Sequence, residues 1–197
     1  MLFRSWQICG VEIRRCKLAE DFRFDFDSLL EAVDQNTRLV FVTTPDNPSG
    51  HCPPRTAVLR LAQNLAERAP DCLLVIDEAY MDFAGDEKAH SLLTAGILPH
   101  NTACLRTFSK CFGLAGLRVG YAVLPREIAD GFWRARLPFS VNILAEEAAL
   151  AALRDTEFLA ASREAVLSGR AALHAGLEAL GCRVWPSEAN FRWLDRK

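Results

Sequence analysis

Four short apolar runs, residues 38–44, 72–77, 102–109 and 118–124, constrain this chain more than anything else in it. Each is rich in β-branched or small apolar side chains, and each is mostly apolar at both alternating positions. A strand of that kind has no face to give to water, so it belongs in a sheet covered on both sides. Helical patterns lie between the runs. Pro54 stands where a helix can start, and Val58, Leu59, Leu61, Ala62 and Leu65 follow at the three-to-four spacing of one helix face. Residues 28–33 read as a shorter helix. Strand, helix, strand order predicts an α/β layer: a mostly parallel mixed sheet between helices, with right-handed crossovers.

The character changes after Leu124. Residues 125–136 read as helix, Pro138 breaks it, and the alanine-rich stretch 141–153 predicts a buried helix. Asp155 is placed to cap a long helix running to Leu180, with Gly181 as its stop. Residues 183–185 and 190–194 read as two short strands that open a further unit. The division is therefore 1–153 for a large unit, and 154–197 for a linking helix and the beginning of a small C-terminal α/β domain.

Composition excludes several classes. With 23 basic and 25 acidic side chains, the net charge of −2 carries no signature of a nucleic-acid partner. No apolar run approaches the roughly 20 residues of a membrane span, and residues 1–6 lack a secretory pattern. The seven cysteines form no C-x-x-C pair and read as reduced thiols of a cytoplasmic protein. His51, His90, His100 and His174 have no ligand spacing, so no metal site is expected. Neither a G-x-G-x-x-G nor a Walker pattern is present.

The chemistry concentrates in three motifs. Leu-Arg-Thr-Phe-Ser-Lys110-Cys-Phe-Gly-Leu-Ala-Gly-Leu-Arg118 sets an amine among glycines and small residues. Such a loop suits a phosphorylated aldehyde: Lys110 forms a Schiff base, while Thr107, Ser109 and Arg118 grip the phosphate. Asp77 ends the run Leu-Leu-Val-Ile, at the carboxyl end of a strand, where open α/β sheets place ligand-binding groups. Tyr80 follows three residues on. Asn47 sits in Pro-Asp-Asn-Pro-Ser-Gly50, a turn made rigid by its two prolines. Each residue alone has a plainer reading. Lys110 and Arg118 could be surface charges, Asp77 a helix cap, Tyr80 a packed aromatic, and Asn47 part of an ordinary Asn-Pro turn. Glu78 reads as a structural ion-pair partner. Cys111 reads as a small packing residue, since no histidine lies nearby to activate it.

Together these motifs resemble the fold-type I pyridoxal-phosphate aminotransferases of class I and II over nearly the whole chain. The lysine run, and Asp82-Phe83 after Asp-Glu-Ala-Tyr, are most similar to the histidinol-phosphate branch. The resemblance implies the large-domain core of that fold and pyridoxal 5'-phosphate as cofactor. It implies that Lys110 is the Schiff-base lysine and proton carrier. Asp77 keeps the pyridine nitrogen protonated, and Asn47 and Tyr80 meet the ring hydroxyl. Thr107, Ser109 and Arg118 form the phosphate cup, and Asn142 lines the site. The implied reaction transfers the amine of glutamate to a phosphorylated keto substrate, of the histidinol-phosphate/2-oxoglutarate type, in a homodimer. Threonine-phosphate decarboxylation on the same scaffold, or an inactive truncated paralogue, are the alternatives.

Compared with the family, the chain resembles a middle fragment. The glycine turn that helps hold the phosphate, the aromatic that stacks on the ring, the tyrosine given to the partner's site and the C-terminal carboxylate-binding arginine have no counterpart in it. The expectation is weak binding of pyridoxal phosphate by this chain alone.

Overall fold

A computed structural model of the chain describes residues 9–96 and 98–196; the N-terminal stretch read above for a secretory pattern lies outside them. One sheet has the order β1 (Leu39–Thr43), β2 (Leu73–Asp77), β3 (Thr102–Thr107) and β4 (Gly120–Val123). The first three strands are parallel, with Val40 opposite Leu74 and Val75 opposite Ala103. β4 runs antiparallel to β3, with Gly120 opposite Thr107. The sheet is therefore mixed and mostly parallel, as expected.

Helix α1 (Phe26–Glu31) precedes the sheet, and α2 (Arg55–Arg68) connects β1 to β2. The α2 stripe of Val58, Leu61, Ala62 and Leu65 joins Val40, Val42, Leu74 and Ile76 in one buried cluster. Each fully buried leucine contributes about 1.5–3 kcal/mol, so this helix–sheet contact dominates the core. The β2–β3 connection carries the short helix α3 (Glu87–His90) between two single 3₁₀ turns.

Beyond β4 the chain is helical: α4 (Arg126–Ala135), α5 (Ile143–Arg154) and α6 (Thr156–Ala179). Asp155 caps α6 as its position suggests, accepting the Phe158 N–H at 2.9 Å, and Gly181 follows the helix with φ +78°. A two-stranded antiparallel ribbon, β5 (Cys182–Val184) and β6 (Leu194–Arg196), closes the chain. Among the described residues no helix is long and apolar enough to cross a membrane.

Three expectations need correction. β4 is exposed along its whole length rather than buried on both faces. It packs through its edge: a Cβ on Gly120 would stand 2.6 Å from the Arg106 carbonyl oxygen, so β3 and β4 approach closely only because residue 120 is glycine. Helix α5 is not buried either. Ala145 and Ala149 face inward, while Ile143, Leu144, Leu150 and Leu153 are exposed, because only the small side chains meet the fold. Last, the second C-terminal strand begins at Leu194 rather than at residue 190. Residues 187–191 instead make a turn in which Ser187 Oγ donates to the Phe191 carbonyl at 2.6 Å.

All seven cysteines are free. Burial pushes the Cys52 thiol up to about 12, which leaves it protonated and inert. Cys111 is buried, with its Sγ 3.7 Å from Ser162 Oγ, and burial raises its thiol as well; it packs, as its sequence context indicated.

Candidate active site

Parallel strands deliver their carboxyl ends to one side of a sheet, and the candidate residues follow those ends. Asp77 is the last residue of β2, and Asn47 and Lys110 lie in the loops leaving β1 and β3. The turn carrying Asn47 is closed by its own backbone. The Asp46 N–H donates to the His51 carbonyl at 2.8 Å, and the Gly50 N–H donates to the Asp46 carbonyl at 2.7 Å. Ser49 Oγ donates to Asp46 Oδ2 at 2.7 Å. Both X–Pro bonds of the turn, Thr44–Pro45 and Asn47–Pro48, are cis.

From that turn Asn47 Nδ2 donates to Tyr80 Oη at 3.1 Å. The exposed amine of Lys110 stands over the Tyr80 ring, 4.9 Å from its centroid. Phe191 meets the same ring edge-on, with centroids 5.0 Å apart. Asp77 is half-buried, and Oδ1 accepts the Ala79 N–H at 3.1 Å. Burial holds its carboxyl above the usual carboxylate range; the Ala79 N–H and the Lys110 charge act against that rise. Lys110 is thus close enough to Asp77 for their charges to interact. Asn47, Asp77, Tyr80 and Lys110 form one group.

Thr107, Ser109 and Arg118 form an adjoining group. Thr107 Oγ1 accepts the Ser109 N–H at 3.1 Å. Arg118 Nη1 donates to the Ala115 carbonyl at 2.6 Å and reaches Ser109 Oγ at 3.5 Å. Arg118 holds a left-handed backbone, φ 53°, which is uncommon for a side chain of its kind. Among the described residues it forms no ion pair, so its charge is not neutralised by a neighbouring carboxylate. Asn47, Lys110 and Arg118 are exposed, Asp77, Thr107 and Ser109 are half-buried, and Tyr80 is buried. Two grooves of about 360 and 420 Å³ lie elsewhere, around Asp21, Arg23 and Arg183, and none of the seven candidate residues lines them.

Glu78 pairs as its sequence position indicated, and the partner is Arg106. The guanidinium is buried and reaches Glu78 at 2.7 Å, Asp82 at 2.9 Å and Glu87 at 2.8 Å. Glu78 also accepts from Ser91 Oγ and the Leu92 N–H. The network ties β3 to the segment that carries Asp77 and Tyr80. Sequence reasoning missed Arg106, although one charge inside an otherwise apolar strand was the available signal. Asn142 caps α5, with Oδ1 accepting the Ala145 N–H at 2.9 Å.

Residues 1–196 match the family model described as aminotransferase class I and II. The chain is 58% identical over 185 residues to a histidinol-phosphate aminotransferase of Nitratidesulfovibrio vulgaris, covering 94% of this chain and 49% of that protein. It is 51% identical over 190 residues to one from Oleidesulfovibrio alaskensis, covering 94% and 48%. The crystal structure of histidinol-phosphate aminotransferase from Sinorhizobium meliloti in complex with pyridoxal-5'-phosphate superposes with a TM-score of 0.86 at 32% identity. That superposition covers 97% of this chain and 52% of the other. The chain spans about half the length of the curated relatives it matches.

Proposed function

This chain belongs to the class I and II aminotransferase family, and we propose that it supplies the lysine-bearing part of a pyridoxal-phosphate aminotransferase acting on histidinol phosphate with 2-oxoglutarate. The observation that carries the reading is the convergence on Tyr80: an exposed amine over its ring, an amide on its hydroxyl, and a half-buried carboxylate in electrostatic reach of the amine. An amine, a carboxylate and paired ring-oxygen donors are what this cofactor needs, so the residues present fit it. The nearby guanidinium and hydroxyls fit a phosphate.

When bound, pyridoxal phosphate supplies an aldehyde for the amine and a ring that draws electrons from the substrate's Cα–H bond. Lys110 Nζ is the group that would hold the aldehyde, and its amine, when free, would carry the proton at Cα. Asp77 holds a proton on the ring nitrogen, and its burial strengthens that interaction. Asn47 Nδ2 and Tyr80 Oη address the ring oxygen. Arg118 and Ser109, with Thr107 behind them, hold the phosphate; a guanidinium suits a phosphate because it offers paired donors. Residues 1–153 belong in this reading to the cofactor domain, and 154–197 link it to a small domain.

Product analysis tests the reaction. Because weak cofactor binding is expected, the cofactor is supplied in large excess; incubation with histidinol phosphate and 2-oxoglutarate is then expected to yield glutamate in step with loss of histidinol phosphate. Release of carbon dioxide from threonine phosphate, with no glutamate formed, would reject it in favour of decarboxylation.

A homodimer is proposed on a second observation. Phe132, Trp133, Leu137, Phe139, Ile143 and Leu144 follow one another along α4, its exit loop and α5, each 62–98% exposed. Large exposed apolar side chains gathered in one stretch of chain are the material of an interface. Light scattering is expected to give twice the 21.9 kDa chain mass. A monomer at tens of micromolar, by order of magnitude well above the dissociation constants of stable dimers, contradicts the dimer.

A further inference from the structure

Tyr80 is held from three sides, and a segment far along the chain supplies one of them. Asn47 donates to its hydroxyl, Lys110 lies over its ring, and Phe191 meets it edge-on at an interplanar angle of 88°. Edge-on contact is a preferred aromatic geometry, so the pair has a defined arrangement. Phe191 closes the turn of residues 187–191. Ser187 Oγ donates to its carbonyl and accepts the Ala189 N–H at 3.1 Å.

That turn is fastened to both stretches that present the Asn47–Tyr80 pair. The Glu188 N–H donates to the Gly50 carbonyl at 2.8 Å, just past Asn47. Glu188 Oε2 accepts the Gly85 N–H at 2.7 Å, just past Tyr80, and pairs with Arg170 at 3.3 Å. Arg170 also donates to the carbonyls of Phe83 and Ala189. Gly50 has φ +75°, and a Cβ there would overlap Ser187 Oγ, so the two turns nest only because residue 50 is glycine.

We propose that residues 187–191 form a positioning clip for the Asn47–Tyr80 pair, in which Phe191 sets the Tyr80 ring and Glu188 ties the two stretches together. The proposal rests on the reading that this pair addresses the cofactor's ring oxygen. The clip lies between β5 and β6, so a displacement of the C-terminal ribbon reaches Tyr80 through Phe191. Donors to the ring oxygen favour its ionised form, so a misplaced pair changes the pH at which the bound cofactor changes colour.

The chain has two tyrosines, Tyr80 and Tyr121. In a Tyr121→Phe background, 3-fluorotyrosine therefore labels Tyr80 alone. Without cofactor, Phe191→Ala and Glu188→Ala are each expected to move the fluorine resonance by more than its linewidth. Phe191→Trp, which keeps an aromatic edge, returns it toward the parent, and Arg14→Ala, whose pairing with Glu12 and Asp34 is remote, leaves it in place. With pyridoxal phosphate added, the pH midpoint of the visible absorbance that requires Lys110 is expected to shift by about half a unit or more in both alanine variants, and not in Phe191→Trp. An unmoved fluorine resonance in both alanine variants overturns the clip. A moved resonance with an unmoved absorbance midpoint overturns its role toward the cofactor. If the parent develops no Lys110-dependent absorbance, the cofactor reading fails on its own, and the fluorine measurement alone decides the clip.

Discussion

Arg106→Met is expected to cost the chain about 3–5 kcal/mol of stability, because removing one partner of a buried ion cluster leaves uncompensated buried charge. The Arg106 side chain is 5% exposed and Glu78 is 0% exposed, so neither can turn to water for replacement. Asp82 and Glu87 share the same guanidinium, and burial already raises the Asp82 carboxyl. The loss is a large part of the roughly 5–15 kcal/mol that folded domains possess. It has a pH signature. The orphaned carboxylates can protonate, so the deficit is fully present at neutral pH and shrinks as pH falls into the carboxylate range. Arg106→Lys keeps the charge but loses the planar fork, and belongs between the two. Urea unfolding of the three proteins measures this, and a methionine variant within about 1 kcal/mol of the parent contradicts it.

Asp77→Asn separates stability from chemistry. Burial raises the Asp77 carboxyl above its ordinary value of 3.8, so its ionised form opposes folding. The contribution of a carboxyl raised in this way is favourable below 3.8 and is lost as pH rises through the folded value. Asparagine removes the charge and can still accept the Ala79 N–H. The cofactor-free variant is therefore expected to be more stable than the parent at neutral pH, with the gain disappearing below pH 3.8. On the proposed function its turnover is expected to fall by about 10²–10³, the usual cost of one missing electrostatic partner at a reacting centre. A variant with parental turnover, or with lower stability at neutral pH, contradicts this role for Asp77.

Much of the fold was legible because the sheet's parallel strands must be apolar on both faces, and few other structures require such runs. The run from 118 to 124 was misleading for the same reason. Its residues look buried, yet β4 is exposed, and its close approach to β3 at Gly120 is a backbone contact that composition does not encode. Helix α5 reads as buried because leucine and alanine alternate along it, but burial reaches only the alanines. Among the candidate residues, Lys110, Asp77, Tyr80 and Asn47 could be picked out because each sits in a short local motif. Arg106 left a trace, a lone charge in an apolar strand, but its partners and those of Phe191 arise from contacts across the sheet and from the far end of the chain, which no local motif encodes.

The central claim is that the amine at position 110 takes the cofactor aldehyde, and chemical trapping tests it most directly. The chain has four lysines: Lys17, Lys88, Lys110 and Lys197. Incubation with pyridoxal phosphate, reduction with borohydride and peptide mapping are expected to place the adduct on Lys110. Labelling spread evenly over the four, or undiminished total labelling in Lys110→Ala, contradicts the claim.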